Sequence, residues 1–271
     1  MRYPAVAGRF YPAEKDVLLA AVESCFLHEL GPGLPEYKGD TRAISGAIVP
    51  HAGYAASGMN AAHVYRRIAE DGLPEAYVII GPDHHGVPYR AVTCSSDFLT
   101  PLGPCPIHEG IVSDLREMIP DECGAHRFEH SIEVQLPFIQ FIDDDPKIVP
   151  IIMGDQSMGA AEELAAAVKK ACIGRDVVIM ASSDMAHYIP KRDAERLNGI
   201  VLDRIRMNDV GGMYSAIREN RISVCGYGPT AVAMLASGAS RIEILRYSDS
   251  WDSLEYDIGS VVGYGSAVMY R

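Results

Sequence analysis

Three apolar runs of strand length, and a fourth shorter one, end directly in residues able to bind a metal or move a proton. Residues 44–50 run into His51-Ala52-Gly53-Tyr54, and residues 76–80 into Gly81-Pro82-Asp83-His84-His85-Gly86. Residues 177–181 run into Ser182-Ser183-Asp184-Met185-Ala186-His187. The fourth run, Ile222-Ser223-Val224, is less regular and leads into Cys225-Gly226-Tyr227-Gly228-Pro229. In open α/β sheets, sites form in the crevice at the carboxyl ends of the strands. Motifs distant in sequence are therefore expected to meet in one place.

Helical patterns alternate with these runs, which is the signature of an α/β fold with a largely parallel or mixed central sheet flanked by helices. Helices are predicted over 13–29, 57–70, 108–119, 130–142, 158–172 and 191–207, with an Ala-rich helix from Cys225 to about 237. Pro137 predicts either a kink or a late start in the fourth. Residues 91–105 read as strand and loop, with a turn at Leu102-Gly103-Pro104. Residues 147–153 read as a further strand, and 241–247 with 260–270 as two strands forming an antiparallel edge pair. No repeat or linker interrupts the pattern, and the loose segment 31–40 lies too near the start to separate domains. One domain spanning residues 1–271 is expected.

The formal net charge is −12, with acidic and basic residues interspersed. That opposes a nucleic-acid footprint, which needs clustered Lys and Arg. No run approaches the roughly 20 apolar residues that span a bilayer, and the first residues carry no apolar core of signal-peptide length. A cytoplasmic location is expected. Six cysteines (Cys25, Cys94, Cys105, Cys123, Cys172 and Cys225) lie without C-x-x-C spacing, so free thiols are expected rather than a disulfide framework.

His51, placed where a strand yields to a Gly-containing turn, can aim a ring nitrogen into the crevice. Neutral imidazole is the commonest metal ligand. A histidine merely hydrogen-bonded at a strand end would look the same. Adjacent loop histidines point apart, so of His84 and His85 one can bind metal while the other does outer work. Asp83 is placed to receive a ring N–H or to ligate. Asp184 and His187 stand three residues apart. On a helix they would share a face, as a ligand with its orienting group or a base with its carboxylate; Ser183 or Asp184 would equally cap such a helix. Cys225, alone among the cysteines in a Gly-rich turn, can ligate or act as a nucleophile; Cys25 and Cys172 read as buried and structural. His130 and Glu133 have H-x-x-E spacing at a helix start. His130 is a candidate proton donor, although capping accounts for Ser131 and Glu133 almost as well. His28, His63, His108 and His126 are expected at the surface. No Walker-type loop and no G-x-S-x-G elbow occurs, and a late G-x-G-x-x-A at Gly226 lacks its acidic partner.

Taken in order, Pro50-His51-Ala52-Gly53-Tyr54, Gly81-Pro82-Asp83-His84-His85, Glu129-His130-Ser131-Ile132-Glu133, residues 182–187 and Cys225-Gly226 closely resemble the Memo family. So does the opening Ala5-Val6-Ala7-Gly8-Arg9-Phe10-Tyr11-Pro12. The resemblance implies a single domain similar to the catalytic subunit of class III extradiol ring-cleaving dioxygenases, which use non-haem iron(II). It implies a metal held by His51, His84 and Cys225, with Asp184 and His187 alongside. It also implies phosphorylated partners in some members, and a pathway shared with AMMECR-type and radical-SAM proteins in prokaryotic ones. A thiolate in place of the usual carboxylate softens the site toward copper or zinc.

Three functions are thus expected in order. The first is iron(II)-centred redox or dioxygenase-like chemistry on a small molecule, with His187, Asp184 and His130 as catalytic groups. The second is an adaptor for a phosphorylated or other anionic ligand. The third, resting on Asp83-His84-His85 and its likeness to the DHH phosphoesterases, is metal-assisted hydrolysis.

Overall fold

The computed structural model describes residues 1–36 and 38–271. In chain order the elements are α1 (Lys15–Leu27), β1 (Ile44–Val49), α2 (Met59–Asp71), β2 (Ala76–Pro82), β3 (Ala91–Thr93), β4 (Phe98–Thr100), β5 (Gly103–Cys105), α3 (Glu109–Leu115) and α4 (Leu136–Ile142). They continue with β6 (Ile148–Met153), α5 (Met158–Ala171), β7 (Val177–Ser182), β8 (His187–Ile189), α6 (Lys191–Arg206), α7 (Val210–Asn220), α8 (Tyr227–Ala236), β9 (Arg241–Asp249), α9 (Ser250–Leu254) and β10 (Val261–Tyr270).

Every residue of β1, β2, β6 and β7 is buried, because both faces of these strands are covered. Tyr77 and Ile79 pack with residues of α1, α2 and α4 on one side; Val78 and Ile80 pack with α3, α5 and α8 on the other. Continuous Val/Ile runs are the pattern such doubly covered parallel strands require. The sheet order is β3-β6-β2-β7-β1-β10-β8, with β9 on β10. β6, β2, β7 and β1 are mutually parallel, β3 is antiparallel at one edge, and β10 is antiparallel to β1, β8 and β9. The result is one α/β domain with a mixed, mostly parallel sheet.

Register does the rest. Val49 lies opposite Ser182, Ile80 opposite Ala181 and Pro82 opposite Met153. The residues just beyond β1, β2 and β7 therefore reach the same edge of the sheet. Among the described residues no helix is long and apolar enough to cross a membrane.

Several sequence expectations need correction. Residues 222–224 form no strand: Arg221, at φ +52°, ends α7, and the chain then runs irregularly along residues 184–187. Asp184 and His187 do not share a helical face, since residues 183–186 are irregular and lead into β8. Pro137 marks a late start, with a 3-10 turn at Glu133–Gln135 leading into α4. Helix α7 was not expected, because Gly211-Gly212 suppress its signal; Asp209 caps it through the Gly212 N–H. His126 is buried, wedged edge-on against Phe98.

The cysteines also differ from expectation. Cys94 and Cys123 form a disulfide, with Cα atoms 4.5 Å apart. A short bridge between Thr93 and Asp121 sets them side by side, with Thr93 N donating to Pro120 O and Glu122 N to Thr93 O. Closing a loop of this length contributes about 3–4 kcal/mol in the chain-entropy picture. Cys25, Cys105, Cys172 and Cys225 are free.

Candidate metal centre

His51 leaves the end of β1 with its backbone N–H donating to Asp184 Oδ1 at 2.7 Å. Its ring is 2 % exposed and its tautomer is fixed by a network behind it. Ser182 Oγ lies 2.6 Å from the Ser131 carbonyl, which can only accept, so the single hydroxyl proton is committed there. Gln135 Nε2 also donates to Ser182 Oγ, at 2.9 Å. Its amide is oriented by Tyr65 OH on Oε1 and by its own bond to the Pro50 carbonyl. His51 Nδ1, 3.0 Å from the same Oγ, must therefore donate. Nε2 is left with a bare lone pair facing Cys225 Sγ at 3.2 Å.

His84 follows β2, where Asp83 shapes the turn. Asp83 accepts from the N–H groups of His85, Gly86 and Val87, so it neither ligates nor orients a ring, contrary to one sequence reading. His84 is gripped twice by Glu129: its backbone N–H meets Oε2 at 2.8 Å and its Nδ1 meets Oε1 at 2.9 Å. With Nδ1 so used, Nε2 is the free nitrogen. His85 turns outward toward Phe128. Cys225 precedes α8, its backbone N–H on the Asp184 carbonyl at 3.3 Å and its sulfur accepting from Asp184 N at 3.1 Å.

The ligand atoms of His51, His84 and Cys225 lie within 4.8 Å of one another, as do those of His84, Glu129 and His130. The three imidazoles form a cluster, with ring centroids 5.2 Å (51–84), 5.4 Å (51–130) and 4.6 Å (84–130) apart. Phe10 packs edge-on against His130. His187 stands at the rim, with Nδ1 2.8 Å from the Ser223 carbonyl and its backbone N–H on Ser223 Oγ. Ser223, and not Asp184, orients it.

Electrostatics follow from burial and crowding. Burial, helped by the neighbouring His84 charge, holds His51 down at about 3. Burial and His51 hold His130 at about 4. These rings are neutral at pH 7, so the 4.0 Å approach of His51 Nε2 to Asp184 Oδ2 is not an ion pair. His84 goes the other way: burial opposes its charge, but the Glu129 hydrogen bond and charge prevail and raise it. Glu129 is lowered despite burial, chiefly by the same bond. Asp184 is raised by burial, and Cys225 by burial and the Asp184 charge, so the thiol keeps its proton until something replaces it.

Two imidazole nitrogens and one sulfur, each backed by its own hydrogen-bond partner, match the donor set of a divalent transition metal. Glu129 was missed as a functional residue, as were Ser182 and Gln135. The adjacency of an acidic residue to His130 was the one signal the sequence offered. Glu129→Gln should weaken metal affinity by about 10–100-fold, measured by competition with a chromophoric chelator, because the His84 ring loses its orienting anion.

Comparison with known proteins gives a consistent picture. A family model described as "Memo-like protein" matches residues 2–268. A "MEMO1 family protein" of Methanobrevibacter smithii is 39% identical, the match covering 99% of each chain. Relatives with the same family description from Methanopyrus kandleri and Methanothermobacter thermautotrophicus are 40% and 42% identical, the matches covering 100% and 97% of this chain and 99% and 98% of theirs.

Proposed function

The chain belongs to the Memo family, and from that premise we propose that it holds one divalent transition metal on His51 Nε2, His84 Nε2 and Cys225 Sγ for redox or dioxygenase-like chemistry on a small molecule. The convergence of three ligand atoms from three separate segments carries this reading. Iron(II) is the leading metal, with copper and zinc as the softer alternatives that the thiolate favours. When bound there, the metal would supply Lewis-acid and one-electron chemistry.

The remaining groups have distinct parts. His187 has its Nδ1 proton directed at Ser223, leaving Nε2 as a proton acceptor at the crevice rim. His130, neutral and beside both histidine ligands, is a second acceptor. Asp184 turns Oδ2 toward His51 and stands outside the group of atoms within 4.8 Å, so it serves as a charge-balancing neighbour.

An anion-binding adaptor is the weaker reading. Two of the three clustered imidazoles are neutral, and the Glu129 and Asp184 carboxylates share the crevice with the third. Hydrolysis is weaker still, because Asp83 is occupied with its own turn.

Metal-stripped protein handled without oxygen should take up one equivalent of iron(II), read by elemental analysis after gel filtration. Uptake of none, or unchanged uptake by His51→Ala, would overturn the assignment.

A further inference from the structure

The Cys94–Cys123 bridge closes a loop of the chain beside the metal centre, and its two sulfurs differ in access. Cys94 is fully buried, whereas Cys123 is half-buried and lines an open hollow of about 660 Å³ with Tyr3, Arg127 and Phe128. Arg127 lies over the Phe128 ring at 5.0 Å and brings a cation to that hollow. Cations favour the thiolate form of an incoming thiol, which is the attacking species. On the buried side, the Ser96 N–H points at Cys94 Sγ at 3.4 Å, as a leaving thiolate requires.

Beyond Cys123 the chain makes two tight turns, His126 N to Cys123 O and Arg127 N to Gly124 O, and arrives at Glu129. Glu129 is the residue that grips His84 through both its backbone and its ring. Arg2 holds the same stretch through the carbonyls of His126 and Glu129. The disulfide is the covalent half of that fastening.

We propose that Cys94–Cys123 is a reversible redox clasp, opened by a dithiol reductant at Cys123, that governs how firmly Glu129 is held. The first thiolate of the reductant bonds to Cys123 Sγ as the Cys94–Cys123 bond breaks. The electron pair leaves on Cys94, which takes a proton from water. The second thiol of the reductant then displaces Cys123, so the bridge ends as two thiols and the reductant as a disulfide. The exchange chemistry stands apart from the proposed function; only the consequence for metal affinity rests on it.

The test uses the whole chain without denaturant. Glutathione, which has a single thiol, should be trapped as an adduct on Cys123 of the folded protein, with Cys94 left as a free thiol that iodoacetamide labels once the trapped protein is unfolded for digestion, both located by peptide mass spectrometry. Reduction by dithiothreitol should then speed amide exchange over residues 121–130 by about tenfold, with the central strands unchanged. A Cys94→Ser/Cys123→Ser double variant should exchange like the reduced protein and bind zinc(II) about tenfold more weakly than the oxidised protein. An adduct on Cys94, reduction only after global unfolding, or unchanged exchange over 121–130 overturns the clasp. Faster exchange with no zinc binding by either form upholds the clasp and sinks the metal reading. Should the double variant fail to fold, the reduction of the unaltered chain decides alone.

Discussion

Cys225→Ser is expected to lower affinity for a divalent transition metal by roughly a thousandfold, beyond what losing an orienting partner costs. It should also remove one proton from the pH dependence of binding. The thiol is pushed up by burial and the Asp184 charge, so at neutral pH it is protonated and must lose its proton to bind. His84 is raised as well, by its bond to Glu129, and acts in the same direction, whereas His51 at about 3 is already bare. The sign is therefore fixed: affinity rises with pH, by about tenfold per unit for each proton displaced. The unaltered chain should show a slope of at least one proton, and Cys225→Ser a slope one lower. Calorimetry in two buffers of different ionisation enthalpy reads the protons directly. An equal slope in both proteins would remove Cys225 from the ligand set.

The parallel strands could be read from sequence because each is apolar at every position, a pattern that only a doubly covered strand needs. His51 and His84 were legible for the same reason, since each directly follows such a run. Cys225 was legible as a residue but not as a strand end: Ser223 and Cys225 bond to His187 and Asp184 in the irregular 184–187 segment, a contact between stretches about 36 residues apart that no local pattern announces. Glu129 was hidden because its role depends on meeting His84 across 45 residues. The disulfide was hidden likewise. Its cysteines are separated by 29 residues, and their pairing follows from the Thr93–Asp121 bridge, which no spacing rule anticipates. The Asp184–His187 pairing failed for a local reason: the chain stays irregular beyond β7 and turns into β8, so a three-residue interval does not place the side chains together.

Glu133→Ala should destabilise the fold by about 3–5 kcal/mol in urea titrations with an unchanged m value. A helix cap was the alternative sequence reading of Glu133, but its side chain lies at 0 % exposure against Arg2 at 2 %. It also accepts from Tyr11 OH and from the backbone N–H groups of Ala5, at 2.8 Å, and Val6, at 3.0 Å. Deleting it leaves a buried guanidinium without its anion and several donors without acceptors, which is why the loss rivals that of removing a large core side chain. Glu36→Ala provides the contrast: its partner Arg66 is 3.0 Å away, yet Glu36 is 74 % exposed, and solvent screening limits the change to about 0.5 kcal/mol. The consequence reaches the crevice through two contacts. Arg2 holds the Glu129 carbonyl, and the strap that Glu133 anchors carries Phe10 onto His130. Below the midpoint of its unfolding, the Glu133→Ala protein should therefore also bind metal more weakly, with His84 less firmly oriented. A loss under about 1 kcal/mol would mean that Arg2 finds water or another acceptor, and that the amino-terminal strap is not fastened by this ion pair.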